Sequence, residues 1–538
     1  MSCRRASDSF LRRSRPFSSP RSVSSSTPLS VSRSLHDLFH YTSGRWIIND
    51  ALRHAERRRI FNVDGLRRLA ALSVARSPDD IVDFAKLAEG GFNRTFLITM
   101  RGGFQMVARI PYPATVPKYY AVASEVATMA FLRSSGLPIP KVYGYSPVSD
   151  NAAETEYIFM EFVRGPTLSD VWLDLEERDT ISVLRQLIQF ESKMMSISFP
   201  AGGSLYYAQD LEKAGIPLED ERFCVGPDTR TSLWYGRRSQ LDVDRGPYER
   251  PEAALTKVAH KELAYLERFG QPLLPFRRLR REAYEFQEQS PADHVENLNQ
   301  YLISPSLIPK DSTLSNFHIR HPDLQQSNII VSKAPDSDWR IAALLDWQHT
   351  SILPAFLLAG VPDRLQNYDD PMSQLMIPPS LPDDLHALNE TEQRRAKELY
   401  RRRLVHYHYI KNTEKLNKLH HAALTDPASL LCRRLFDQAS LPWDGETLAL
   451  KVALIDATES WELSTPRPVA FDPEDVRETM RLDAEQRDAD ASLEHYETAM
   501  AYCKKMKEEM LAGLTTAEDH ALIEAHWVLD DFDEEKYK

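Results

Sequence analysis

The stretch 320-RHPDLQQSNIIV-331 places a His, an Asp two residues later and an Asn five further on directly against the apolar triplet Ile329, Ile330 and Val331. Three apolar residues in a row are too few for a helix core and suit a short buried strand. The polar residues before them therefore belong to a loop that a strand holds in place. Eighteen residues beyond Asn328 stands Asp346, in LLDW at 344–347, at the end of a second apolar run. From 314 to 348 the pieces NFHIRHPDL, NIIVSK and WRIAALLDW are β-prone, and the turn-forming APDSD separates the last two.

On the N-terminal side, RWIINDALRHAERRRIF and VDGLRRLAALSVA repeat their apolar residues at three and four and predict helices. The period then shortens. IVDFAKLAEGG, RTFLITM and FQMVARIP predict three successive strands, with the turn RGG at 101–103 closing a hairpin. YAVASEVATMAFLRSSG predicts an amphipathic helix ended by Gly136, and KVYGYSPV and EYIFMEFV complete a five-stranded antiparallel sheet with one helix. After residue 166 helical patterns dominate, apart from 314–348. The expected fold is α+β in two lobes, a small antiparallel β lobe with one helix and a larger, mainly helical lobe.

In HPDLQQSNIIV and LLDWQ together the chain resembles the aminoglycoside phosphotransferase branch of the protein-kinase-like superfamily. YTSGRWIINDALR, LAEGGFNRTFLITM, VARIP and SEVATMAFLR also make it similar to the fungal family of altered inheritance of mitochondria protein 9, over residues 41 to about 365. The resemblance implies ATP and Mg²⁺ as cofactors. Phosphoryl transfer needs positioning and charge neutralisation more than covalent chemistry, so a base and a few metal-holding oxygens are the minimum set. By resemblance Asp323 is the base that takes the acceptor proton, Asn328 and Asp346 hold Mg²⁺, and His321 bonds backbone near the second carboxylate. Gly90 and Gly91 let the backbone approach phosphates, with Asn93 and Arg94 placed to donate to phosphate oxygens or to brace the turn. Glu161 to Val163 present backbone groups to adenine or form a buried edge strand.

The family pattern has a Lys on the third strand, pairing with a helix Glu; here those positions are Arg109 and Glu125. A guanidinium is planar and larger than an ammonium and forks its donors, so it can still bind nucleotide but is a poor replacement at a tight phosphate contact. Two functions follow: an ATP-dependent phosphotransferase acting on a hydroxyl of a small molecule or a protein, or a nucleotide-binding pseudokinase that works as a scaffold.

Composition bounds the rest. With 538 residues, 42% of them hydrophobic, the chain can bury large cores. Its longest apolar run, ILPAFLLAGV at 352–361, is too short to span a bilayer. Cys3, Cys224, Cys432 and Cys503 lack metal-type spacing and frame no disulfides. Residues 1–36 hold seven Arg, thirteen Ser and one acid, a net +6 that leaves −18 for the remainder of a chain whose total is −12. That is the composition of a mitochondrial presequence, or of a basic tail that binds phosphate. The acidic remainder is unsuited to nucleic acid, whose binding needs Lys and Arg against phosphates. The expected organisation is a presequence at 1–36, a helical extension at 37–80, a nucleotide-binding β lobe at 81–165, a helical lobe at 166–470 with the catalytic loop at 320–348, and a charged helical extension at 471–538. The last of these offers a surface for a protein partner or packs on the lobe. FCVGPDTRTSLWYGRRSQLDVDRGPYERP at 223–251 reads as a long insertion whose Trp234, Arg237, Arg238 and Arg245 line an acceptor site or pack the lobe.

Overall fold

The computed structural model describes residues 38–212, 214–334, 337–459, 471–488, 496–527 and 529–538. The basic segment 1–36 lies outside them. The small lobe is the expected antiparallel sheet: β1 (Ile81–Glu89), β2 (Asn93–Met100), β3 (Gln105–Pro111), β4 (Val142–Ser146) and β5 (Tyr157–Glu161), in the order β1-β2-β3-β5-β4. Alternation sets its faces. Phe96, Ile98 and Met100 of β2 and Met106, Ala108 and Ile110 of β3 point outward, under a cover formed by Leu38 and Phe61 and by Leu66, Ala70 and Ala71 of α2 (Val63–Ser73). Helix α1 (Asp50–Arg57) precedes it. The odd-numbered Val107 and Arg109 point inward, Val107 into the main core with Val122, Val126 and Met129 of α3 (Lys118–Ser134). This two-residue period is why Arg109 faces the cleft between the lobes rather than the N-terminal cover. Helix α3 ends as expected at Gly136, which takes a left-handed φ of 78°.

The chain leaves β5 and crosses into the large lobe through Gly165, at φ 146°. Pro166 accepts a bond from the Val331 amide at 3.0 Å, and a Cβ built on Gly165 would stand 2.3 Å from the Val331 carbonyl oxygen. Glycine is required here for conformation and for space. Gly165→Ala is expected to destabilise the protein by about 3 kcal/mol or more, through backbone strain and displacement of the strand that follows Asn328. Urea unfolding checks it, and a change below about 1 kcal/mol would contradict this packing.

The large lobe consists of α4 (Glu177–Met195), α5 (Pro251–Phe269), α6 (Pro291–Tyr301), α7 (Glu390–Leu416), α8 (Lys418–Thr425), α9 (Pro427–Ala439) and α10 (Leu448–Glu459), numbering helices of eight residues or more. A three-stranded sheet that the sequence did not predict packs against α3: β6 (Ser204–Tyr207), β7 (Ile216–Pro217) and β8 (Phe223–Gly226), ordered β6-β8-β7. FCVG is therefore a buried strand and not the start of a loop. The strands β9 (Phe317–Ile319), β10 (Ile329–Ser332), β11 (Arg340–Leu344) and β12 (Ile352–Pro354) pair as two antiparallel ribbons, β9 with β12 and β10 with β11. Three further helices, α11 (Pro473–Asp488), α12 (Tyr496–Gly513) and α13 (Ala517–His526), precede a C-terminal tail.

That tail returns to the N-terminal extension. Asn49 receives the Phe532 amide on Oδ1 at 2.9 Å and donates from Nδ2 to the Phe532 carbonyl at 2.9 Å, while Arg53 ion-pairs with Glu534. Among the described residues, Cys224, Cys432 and Cys503 are buried free thiols. No helix among them is long and apolar enough to cross a membrane.

Candidate functional site

The loop between β9 and β10 is anchored before its polar residues begin. Arg320 donates to Glu191 of α4 from Nε at 2.7 Å and from Nη2 at 2.6 Å, and the Tyr409 hydroxyl of α7 donates to the second Glu191 oxygen at 2.7 Å. Glu191 has no exposed surface. Next along the chain, His321 accepts the Asp323 amide on Nδ1 at 3.1 Å and bonds the Leu345 carbonyl through Nε2 at 2.8 Å. Those two partners fix the neutral ring as the Nε2–H tautomer. Asn328 donates from Nδ2 to the Asp323 carbonyl at 2.9 Å, and its own carbonyl accepts the Leu345 amide at 2.8 Å. A closed circuit of bonds thus joins Asp323, Asn328 and the residue before Asp346. The Asp323 carboxylate is held on Oδ2 by the Gln325 amide at 2.5 Å.

Burial pushes the His321 ring down to about 4, below its usual 6.5. A depressed histidine contributes stability above its unfolded value and loses it as pH falls toward the folded one, because the unfolded chain binds a proton that the folded chain excludes. Between pH 6.5 and about 4 this group should lower stability by up to about 1.4 kcal/mol per pH unit. In unfolding measured at pH 7, 6 and 5, His321→Gln should show a pH slope shallower by about one proton; equal slopes would contradict the assignment.

Asp346 follows β11 at a left-handed φ of 65°, a conformation non-glycine residues adopt rarely and mostly where function or local bonding requires it. Its side chain is 41% exposed to the cleft. Arg109 links it to the helix: Nη1 donates to Glu125 Oε1 at 2.5 Å, and Nη2 ion-pairs with Asp346 Oδ1. Its partial burial works to raise the Asp346 carboxyl, but the Arg109 guanidinium outweighs it and holds the group below the usual carboxylate range. At Glu125 burial prevails over Arg109 and lifts the carboxyl to about 7. The sequence-predicted cation and acid thus meet, and Arg109 also reaches Gln348 Oε1 at 3.2 Å.

The glycine turn lies open at its tip. A Cβ on Gly91 would meet nothing within 4 Å, and one on Gly90 only the Asn93 carbonyl oxygen at 3.6 Å. Asn93 joins the site through Gln348, Nδ2 to Oε1 at 2.6 Å. Arg94 turns away from the turn. It is 1% exposed, bonds Glu89 at 2.8 Å and the Leu38 carbonyl at 3.0 Å, and braces the N-terminal cover. At the lobe junction the Glu161 amide donates to the Lys141 carbonyl at 2.8 Å, so it is not a group that faces a base; Val163 follows beyond the end of β5, half-buried.

Of the two readings of 234–245, acceptor wall or lobe packing, the contacts of Arg238 and Arg245 are those of packing. Arg238 is buried against Glu262 with its guanidinium 3.6 Å over Tyr265, and Arg245 donates to the Leu233 carbonyl and stacks on Trp234 at 4.1 Å. Sequence reasoning passed over Gln325, Gln348, His349 and Arg320. Their proximity to HPDLQQSN and LLDW was the available signal.

An Mg²⁺ ion needs hard oxygen donors, and the residues fit it. Asp346 Oδ2 and Asn328 Oδ1 make no hydrogen bond among the described residues, and both are oxygens. Among those residues no group of three His, Cys, Asp or Glu side chains could hold a metal ion.

Residues 83–356, just over half of the chain, match the model of the phosphotransferase enzyme family, APH. A subtelomeric hrmA-associated cluster protein of Aspergillus fumigatus is 34% identical over 435 residues, covering 73% of this chain and 82% of the relative. The altered inheritance of mitochondria protein 9 of Clavispora lusitaniae is 26% identical over 384 residues, 61% of this chain and 62% of the relative. Among solved structures, the amicoumacin kinase hAmiN in complex with AMP-PNP, Ca²⁺ and Ami is 11% identical, with a TM-score of 0.32, covering 79% of this chain and 92% of that one.

Proposed function

Because the chain belongs to the phosphotransferase enzyme family, we propose that it transfers the γ-phosphoryl group of ATP to a hydroxyl of a small molecule or a protein, in the cleft between its lobes. The bonded circuit through His321, Asp323, Asn328 and Leu345 carries this reading, because it holds a base and two metal-type oxygens on one frame.

Asp323, steadied by Gln325, orients the acceptor hydroxyl and receives its proton. The acceptor oxygen bonds to the γ-phosphorus as the bond from that phosphorus to the bridging oxygen breaks, and ADP leaves. Asn328 and Asp346 would hold Mg²⁺, which when bound neutralises charge on the phosphates. The backbone of the open turn at Gly90 and Gly91 covers the phosphates, and Arg109, held by Glu125, sets the electrostatics beneath them. Saturating Mg·ATP should raise the unfolding free energy by about 2.7 kcal/mol at a hundred times its Kd. A folded protein that neither shifts its melting temperature nor binds Mg·ATP in calorimetry contradicts the proposal.

One observation favours a second reading, a nucleotide-binding scaffold: Arg109 stands where the family pattern has Lys, with donors already engaged by Glu125, Asp346 and Gln348. Under that reading Mg·ATP binds and no phosphoryl group moves. A mitochondrial address is supported by the acid-poor, Arg-rich residues 1–36 and by the mitochondrial name of the Clavispora relative. A fluorescent reporter carrying residues 1–36 should enter mitochondria, and one that stays outside would contradict it.

A further inference from the structure

We propose that Gln348 and His349 form a landing for the glycine turn, a positioning pair that sets how far the turn closes over Asp346. The consequence for catalysis rests on the phosphotransfer reading; the contact itself does not.

Two contacts cross the cleft from neighbouring residues of the turn. The Asn93 and Gln348 amides meet at 2.6 Å, and the Phe92 ring meets the His349 ring edge-on at 5.2 Å. If both amides are reversed they keep that bond, and Asn93 Oδ1 in place of Gln348 Oε1 accepts from Arg109, from Nη2 at 2.7 Å and from Nε at 3.1 Å. From behind, the turn hangs on the Phe92 carbonyl, which accepts the Tyr112 amide at 2.9 Å and the Thr115 hydroxyl at 2.6 Å. The turn is closed on itself by the Gly90 amide, which donates to the Asn93 carbonyl at 2.8 Å, and its ends are paired, Glu89 with Arg94 and Asn93 with Pro111. The contacts at 348 and 349 are what its tip meets across the cleft.

The landing is itself rigid. Gln348 is 6% exposed and His349 is fixed at a left-handed φ of 61°, with Nδ1 donating to the Thr229 carbonyl at 2.8 Å. Ser204 of β6 donates to the Thr350 carbonyl at 2.7 Å, and Ser351 donates to the buried Asp228 at 2.7 Å. The β6-β8-β7 sheet thus backs the segment that follows Asp346. In either orientation one amide of the pair, Gln348 or Asn93, accepts from Arg109 while bonded to the other, so the pair couples loop position to the cation that sits on Asp346.

Hydrogen exchange on the full chain without nucleotide tests the contact. In Gln348→Met, which keeps the volume and removes the amide, the amides of residues 90–93 should exchange on the order of tenfold faster, with β5 unchanged. The KM for Mg·ATP should rise by a similar factor and more than kcat falls, since the loss is one of nucleotide positioning. Phe92→Leu, made from the other side of the cleft, should show the same exchange pattern, and it decides the matter if Gln348→Met does not fold. Unchanged exchange at 90–93 in the folded variant would overturn the proposal. A wild type that binds no Mg·ATP would instead remove the phosphotransfer reading and leave the exchange result standing.

Discussion

Asp323→Asn should lower phosphoryl transfer by three or more orders of magnitude and leave Mg·ATP binding within a fewfold of wild type. The substitution is nearly isosteric, and the main-chain bonds that shape the loop remain: the 323 amide to His321 Nδ1 and Asn328 Nδ2 to the 323 carbonyl. What is lost is the oxygen anion proposed to take the acceptor proton, which Asn328 Nδ2 also approaches at 3.4 Å, while Asp346 and the glycine turn are untouched. Measured as single-turnover transfer beside nucleotide titration, the result separates a base from a nucleotide ligand. A variant that binds nucleotide tenfold or more weaker would place Asp323 among the nucleotide ligands instead.

Glu191→Leu should cost about 3–5 kcal/mol, the largest stability change expected of a single residue near the site. Glu191 lies wholly buried between Arg320 and Tyr409, so removing it strands the Arg320 guanidinium with only the Tyr409 hydroxyl and the Leu358 carbonyl. An uncompensated buried charge is the costly outcome, whereas two apolar replacements are not. The double variant Glu191→Leu with Arg320→Met should therefore be more stable than Glu191→Leu alone, as read from urea midpoints. A single variant within about 1 kcal/mol of wild type would mean the pair does not carry the catalytic loop.

The small lobe was legible because its information is local. Successive residues of β2 and β3 alternate between the N-terminal cover and the cleft, and one such alternation sends Arg109 to Glu125 and Asp346. The polar loop between β9 and β10 was legible for the same reason: its polar residues are short-range neighbours of buried strands. The strands β6 and β8 left no comparable trace, since SLYY and FCVG are four-residue pieces buried on both faces, with neither alternation nor length to mark them. Arg94 could brace or donate, and only the tertiary position of Glu89 and Leu38 selects bracing. The clasp between Asn49 and Phe532 joins residues 483 apart, and no spacing in the chain announces it. Gln348 was read only as part of LLDWQ, and its role depends on which residue the glycine turn brings across the cleft.

The central claim is that Asp323, Asn328 and Asp346 work together to move a phosphoryl group. Incubation of the full chain and of Asp323→Asn with γ-labelled ATP, Mg²⁺ and a metabolite and protein extract tests it most directly. The wild type is predicted to pass label to a hydroxyl acceptor, and Asp323→Asn to bind the nucleotide and pass none. Nucleotide bound by both proteins, with no label transferred by either, would contradict the account and leave the scaffold reading in its place.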